Sequence, residues 1–256
     1  MSLSPDGLDR FARRIVLPEI GGAGQAALVA SHAAIIGLGG IGAPVLQYLA
    51  GAGVGTLTLV DNGEVEASNL QRQTIYTARD IGHGKAVAAR GWVQNFDRAL
   101  NVHIFDDRID ADNAAGLIAD VDLVIDGTDN FATRLAVSDA CVKAGKPLLS
   151  AAIGRFQGQV GAFQGHLETQ PCYRCFVGDA FDAEDCDTCA EDGVLGAMVG
   201  WTGTLAAMEA VRILTADSGS MGPPGWGRLH LMDGLKPAMR TLSIAKDPYC
   251  KGCRTN

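Results

Sequence analysis

The 256-residue sequence has no excess of basic residues: 21 Lys and Arg stand against 29 Asp and Glu, a formal net charge of -8. Nucleic-acid binding rests on a basic surface that neutralises phosphates, so this balance argues against a nucleic-acid partner and leaves room only for a local basic pocket. The N-terminus, Met1 to Gly7, has neither the basic start nor the apolar run of a secretory leader. No stretch is long and apolar enough to span a membrane. The longest apolar run, Val194 to Met208, falls short of the ~20 residues a spanning helix needs; it contains Thr202 and Thr204 and leads into Glu209 and Arg212. A buried amphipathic helix in a cytoplasmic protein is expected there. Internal repeats and low-complexity segments are absent, and 47% hydrophobic with 20% charged residues is an ordinary globular composition. There is also no Gly-x-x-x-x-Gly-Lys-Ser/Thr, which excludes a P-loop nucleotide enzyme.

Glycine, by contrast, is abundant, at 33 residues, pointing to tight turns or close backbone approach to a ligand. Ala33–Ile36 reads as a short strand ending in Gly37-Leu-Gly-Gly-Ile-Gly42, with a helical pattern through Val45, Leu46 and Leu49 and a second strand at Thr56–Val60. This is the βαβ order of a doubly wound sheet. The alternation continues with helices expected over Lys85–Arg98, Ala111–Ala119 and Phe131–Ala144, and strands over Val102–Phe105, Leu123–Ile125 and Pro147–Ser150. Beyond residue 155 the pattern changes. Gln159–Phe163, Arg228–Met232 and Met239–Ile244 read as strands without crossover helices, which predicts an antiparallel extension of the sheet. A long helix over Leu195–Leu214 is expected to pack on its face. The fold expected is α/β, a Rossmann-like doubly wound and mostly parallel sheet extended by antiparallel strands. It forms a single domain over 1–256, with a nucleotide-binding part at about 30–155 and the rest at about 156–256.

Gly37-x-Gly39-x-x-Gly42 sits between a strand and a helix, where Gly39, Gly40 and Gly42 would let a nucleotide phosphate approach helix N–H groups. Asp61, at the end of the second strand, is placed to bond a ribose hydroxyl. Alone, this pattern favours an NAD-dependent dehydrogenase. The next segments shift the reading. Asn69-Leu-Gln-Arg-Gln73 and Gly82-His-Gly-Lys85 bring Arg72 and Lys85 towards the site, and two cations suit a triphosphate. Asp126-Gly-Thr-Asp129-Asn130 follows the fourth strand at the carboxyl edge, where Asp129 would hold Mg²⁺ against the phosphates.

Seven cysteines complete the inventory. Cys172-Tyr-Arg-Cys175 and Cys250-Lys-Gly-Cys253 are two CxxC pairs, matching a tetrahedral structural zinc site; a redox dithiol at one pair is the alternative. Cys141 lies in a helical pattern and reads as a core residue. Cys186 and Cys189 lie in an acidic segment, where either could act as a nucleophile, although the carboxylates around them would raise a thiol pKa.

Taken in order from Arg10 to Cys253, these motifs closely resemble the ThiF/MoeB/HesA family, relatives of the adenylation domain of ubiquitin-activating enzymes. The resemblance implies an ATP-dependent adenylyltransferase. Its substrate would be the C-terminal Gly-Gly carboxylate of a ubiquitin-like sulfur-carrier protein, bound by the part at about 156–256 that also holds the zinc, and pyrophosphate would leave. It implies that Asp61 binds the ribose, that Asn69 and Gln73 help to hold the triphosphate with Arg72 and Lys85, and that Asp129, beside Asn130, holds magnesium. Arg13 resembles the family arginine that reaches into a neighbouring subunit, which implies a homodimer with shared active sites. Cys189 matches the cysteine of the family's crossover loop. The chain departs from the family pattern at Phe11, Arg14 and Gly127 without losing a proposed catalytic group. No rhodanese-like domain follows Cys253, so a separate sulfur donor is expected. Arg14–Glu19 and Thr188–Gly196 resemble the molybdopterin-pathway enzymes more than the thiamine-pathway ones. A zinc-stabilised module with a vestigial nucleotide pocket is the non-catalytic alternative.

Overall fold

The computed structural model describes residues 5–178, 193–219 and 221–254. Eight strands form one sheet: β1 (His32–Ile36), β2 (Thr56–Val60), β3 (Asn101–Phe105), β4 (Leu123–Asp126), β5 (Leu148–Gly154), β6 (Gln157–Phe163), β7 (Arg228–Asp233) and β8 (Ala238–Ser243). Their order is β3-β2-β1-β4-β5-β6-β7-β8. The first five strands pair in parallel, and β6, β7 and β8 continue the sheet antiparallel.

The residues of β1, β2 and β4 explain their central position. Ala33–Ile36, Leu57–Val60 and Leu123–Asp126 are buried almost throughout, the near-continuous apolar run expected where helices cover both faces. Successive side chains enter opposite cores. Ile35, Leu57, Leu59 and Ile125 join one cluster with α3 (Gly42–Ala52), α4 (Lys85–Phe96) and α8 (Gly196–Leu214). Ala34, Ile36, Val60 and Val124 join the other, with α5 (Ala114–Leu117) and α6 (Phe131–Ala144). The α8 helix also covers β5 and β6, carrying the first core beyond the parallel strands.

Two further helices, α1 (Pro5–Ile15) and α2 (Gly21–Ala30), pack on each other and reach the end of α3 through Phe11, Arg14 and Gln25. The α3 helix stops at Gly53, whose φ of +75° is left-handed, and the Phe11 ring occupies the space that a Cβ there would need. Arg14 caps the same end, donating from Nη2 to Gly51 O at 2.7 Å and from Nη1 to Ala52 O and Gln25 Oε1. A guanidinium on the last carbonyls also suits the negative end of the helix dipole.

The expected helix at Ala111–Ala119 is in fact one turn, α5, preceded by Asp110 and Asn113 side chains that bond backbone N–H groups and so hold a turn instead. Two helices have no counterpart in the expectation. The glycines of α2 lower its helix propensity, but Leu28 and Gln25 are fully buried, so packing overrides it. The short α7 (Tyr173–Val177) starts between the first two cysteines.

Candidate functional site

The glycine loop lies where the strand order reverses, between β1 and β4, the crevice in which open α/β sheets bind ligands. Gly37 has a φ of +84°, and a Cβ added at Gly42 would overlap the Gly37 carbonyl, so the turn from β1 into α3 requires glycine at both positions. The Gly39 and Gly40 N–H groups have no hydrogen-bond partner among the described residues. They are available to an anion at the start of α3.

Around this loop the sequence motifs converge. The Asp61 carboxylate accepts from Leu38 N at 2.7 Å and from Gly63 N at 2.8 Å. Gly63 touches both Asp61 and Lys85: a Cβ placed there would lie 3.1 Å from Asp61 Oδ1 and 3.4 Å from Lys85 Nζ. On the other side, Arg72 Cδ lies 3.9 Å from such a position at Gly40, and Gln73 Nε2 lies 3.7 Å from one at Gly39. Gln73 is 3% exposed and its Oε1 has no partner among the described residues, an orphaned acceptor that invites a donor. Arg72 itself is held back by its Nη1 bond to Ser68 O at 2.9 Å. The Asn69 side chain, buried, accepts from Glu66 N and donates to Ser68, closing a turn of 3-10 helix over Ala67–Asn69. Its present bonds are therefore local.

The loop after β4 completes the ring. Gly127 and Thr128 press against Gly37 and Ile41, with Thr128 N only 3.0 Å from a Cβ built at Gly37. Asp126, fully buried, accepts from Thr128 and pairs at 3.4 Å with Arg134. Arg134 is buried in α6 and also donates to Ser150 Oγ at 3.0 Å, Ala151 O at 2.8 Å and Thr128 O. A buried guanidinium thus fixes the loop, while Asp129 within it is exposed and has no partner among the described residues. The Asn130 side chain caps α6 by accepting from Thr133 N at 2.9 Å, so its resolved role is structural.

Cys172, Cys175, Cys250 and Cys253 place their sulfurs within 4.8 Å of one another. The closest approaches are 3.8 Å for Cys172–Cys175, 3.6 Å for Cys172–Cys250 and 3.5 Å for Cys175–Cys253. A tetrahedron with Zn–S of about 2.3 Å has edges of about 3.8 Å, so the four thiols fit zinc with no position left open for catalysis. Thiol hydrogen bonding from Cys172 holds Cys175 down to about 5, and Asp247 N points at the same sulfur from 3.4 Å. Hydrogen bonding to Cys175 pushes the Cys172 thiol up, and burial pushes Cys253 up to about 11. Such a proton-sharing cluster is ready to exchange protons for a cation. Arg174, inside the first knuckle, grips Asp139 of α6 by two bonds of 2.7 Å.

The structure therefore gathers Gly39, Gly40, Gly42, Asp61, Arg72, Gln73, Lys85 and the 126–130 loop around one crevice. Arg13 stands apart on α1, exposed and without a partner among the described residues. Cys141 is a core thiol, pushed up by burial. Cys186 and Cys189 lie outside the described residues. Sequence reasoning missed two contributors. Arg134 had one signal, a lone cation four residues after the Asn130 cap on an otherwise core-facing register. Tyr76, whose hydroxyl lies 3.0 Å from Leu38 O and 3.4 Å from Lys85 O, had none.

Residues 11–252 match the ThiF family. The chain is 39% identical over 256 residues to a sulfur carrier protein adenylyltransferase of Thermus thermophilus, spanning 99% of this chain and 93% of that protein. It is 36% identical over 253 residues to a SAMP-activating enzyme E1 of Haloferax volcanii, spanning 99% of this chain and 91% of that one. The crystal structure of E. coli MccB shares the fold with a TM-score of 0.82, at 20% identity over 96% of this chain and 72% of the other. Among the described residues no helix is long and apolar enough to cross a membrane.

Proposed function

The chain belongs to the ThiF family, and from that premise we propose that it is an ATP-dependent adenylyltransferase acting on the C-terminal carboxylate of a ubiquitin-like sulfur-carrier protein. The names of its relatives from Thermus and Haloferax support this reading. The observation that carries it is the convergence of Asp61, Arg72, Lys85 and the Asp129 loop on the open amides of Gly39 and Gly40.

The chemistry follows from charge. An oxygen of the carrier carboxylate attacks the α-phosphorus of ATP, the bond from that phosphorus to the bridging oxygen breaks, and pyrophosphate leaves with the electron pair. The nucleophile is already ionised near neutral pH, so no general base is required. The protein's task is to position two anions and to neutralise charge as it moves to the leaving group. Arg72 and Lys85 supply cations, the α3 amides supply dipoles, and Asp61 supplies an acceptor for the ribose. Magnesium, held by Asp129, would add a divalent charge beside the phosphates. The exposed Asp129 carboxylate suits that use, as does the exposed Arg13 for a site shared across a homodimer. Zinc at the four cysteines would be structural. The carrier would belong to the molybdopterin pathway, on the likeness of Arg14–Glu19 and the segment ending at Gly196, and a separate protein would donate the sulfur.

The test is ATP–pyrophosphate exchange with candidate carriers ending in Gly-Gly, with Lys85→Ala as control. Carrier-dependent exchange that is lost by a folded Lys85→Ala variant is the expected outcome. ATP binding without exchange on any carrier, thiamine-type carriers included, would sink the reading. Binding of nicotinamide dinucleotide in place of ATP would replace it with an oxidoreductase.

A further inference from the structure

We propose that Tyr76 is a positioning residue of the nucleotide site, holding the phosphate-binding loop and Lys85 in one frame without itself reaching the nucleotide; this rests on the crevice being an ATP site. Its hydroxyl is buried, with the residue 4% exposed. The hydroxyl donates to Leu38 O at 3.0 Å and leans toward Lys85 O at 3.4 Å. Leu38 is the residue inside the glycine loop, and its N–H is taken by Asp61 at 2.7 Å. Both backbone groups of Leu38 are thus fixed, one by the ribose-binding carboxylate and one by Tyr76. Lys85 is tied on its other side through its own N–H to Gly63 O at 2.8 Å, and Gly63 N returns to Asp61. Asp61, Leu38, Tyr76, Lys85 and Gly63 therefore form a closed ring of contacts linking four chain segments.

Such a ring has work to do here. The turn into α3 is built from glycines, which leave the backbone more conformational freedom than any other residue. Lys85 is the first residue of α4, on a separate segment from the loop. A phosphate grip built from loop amides on one side and an ammonium on the other is effective only if their separation is set before the ligand arrives. Tyr76 follows Arg72 and Gln73 by a short turn, with its N–H on Gln73 O at 3.1 Å, so the same segment that brings Arg72 also sets the loop. Burial raises the pKa of the phenol, so it remains a donor throughout the working pH range. The ring itself packs in the main core cluster, which lets Tyr76→Phe remove the hydroxyl and keep the packing.

The experiment compares Tyr76→Phe with the unaltered chain by calorimetric binding of a non-hydrolysable ATP analogue with magnesium, by pyrophosphate-exchange kinetics and by thermal melting. The expected result is nucleotide affinity weakened about tenfold, because a loop no longer held by Tyr76 must be ordered when the ligand binds. The KM for ATP should rise by a similar factor and the melting temperature fall by a few degrees, since Leu38 O loses its buried donor, while the KM for the carrier stays close to its original value. Unchanged nucleotide affinity would overturn the proposal, as would a lowered melting temperature with no shift in affinity, which would mark packing alone. If the unaltered chain binds the analogue but adenylates no carrier, the proposed reaction fails and the binding comparison still decides Tyr76. If it binds no ATP at all, both fall together.

Discussion

Asp61 Oδ2 accepts a hydrogen bond from Leu38 N at 2.7 Å, across 23 residues of sequence. The carboxylate read as the ribose acceptor is therefore also a strut of the glycine loop. A carboxylate has about four lone-pair sites and can serve both purposes. Asp61→Ala should weaken ATP binding well beyond tenfold and lower the melting temperature by a few degrees, since the Leu38 N–H loses its partner. Calorimetry and melting on the same sample check both. Weakened binding with an unchanged melting temperature would show that the loop does not depend on Asp61.

The purified chain should contain one zinc per polypeptide, and a strong chelator should lower its melting temperature steeply. Structural zinc contributes on the order of 10 kcal/mol in small sites. Acid should release the metal too, because thiolates bind it and protons compete. Metal analysis across a pH series measures this. A melting curve indifferent to chelator would rule out the four-cysteine site.

Arg134→Met should destabilise the fold by about 3–5 kcal/mol, because it strands the buried Asp126 charge. Two backbone carbonyls, Thr128 O and Ala151 O, lose their donor as well. Denaturant unfolding gives the value. A cost below about 1 kcal/mol would mean the 126–130 loop holds itself.

A pH effect is expected from His32. Burial lowers its pKa in the folded chain, opposed by its contact with Asp120 O. Above about 6.5 the imidazole is neutral whether folded or not. As pH falls below that value the unfolded chain takes up the proton first, so stability declines. His32→Gln should flatten the slope of stability below about pH 6.5, read from melting temperatures across a pH series. An unaltered slope would assign the effect to other groups.

Local signals made the parallel half of the fold legible. The α6 helix was readable at both ends, because Asn130 caps its start and Gly145, with a φ of +67°, ends it. The α2 helix was not, since three glycines in its first turn speak against a helix and only the burial of Leu28 and Gln25 reverses that. The same division holds in the crevice. Asp61, Lys85 and Asp129 stand at or beside strand and helix ends, and Arg72 in the turn between β2 and α4, where the pattern of the chain places them. Tyr76 and Arg134 act on carbonyls far away in sequence, Leu38 O and Ala151 O, and no local spacing announces a tertiary bond. Asn69 and Asn130, which the motif assigns to ligand contacts, also close local turns with their side chains.

Cys172 and Cys250 meet 78 positions apart, and the strands β6 to β8 divide unequally around that meeting point. Strands β7 and β8 and the long α8 helix fall between the two knuckles, so a metal clasp turns this stretch into a closed loop. By the chain-entropy estimate for a cross-link of that span, the clasp removes on the order of 4 kcal/mol of freedom from the unfolded chain. The last strand, all of whose residues are exposed, is held by its ladder with β7, and the clasp closes the chain behind it. Loss of the ion would first be felt at that edge, as faster hydrogen exchange along β8 while β1 and β4 remain protected.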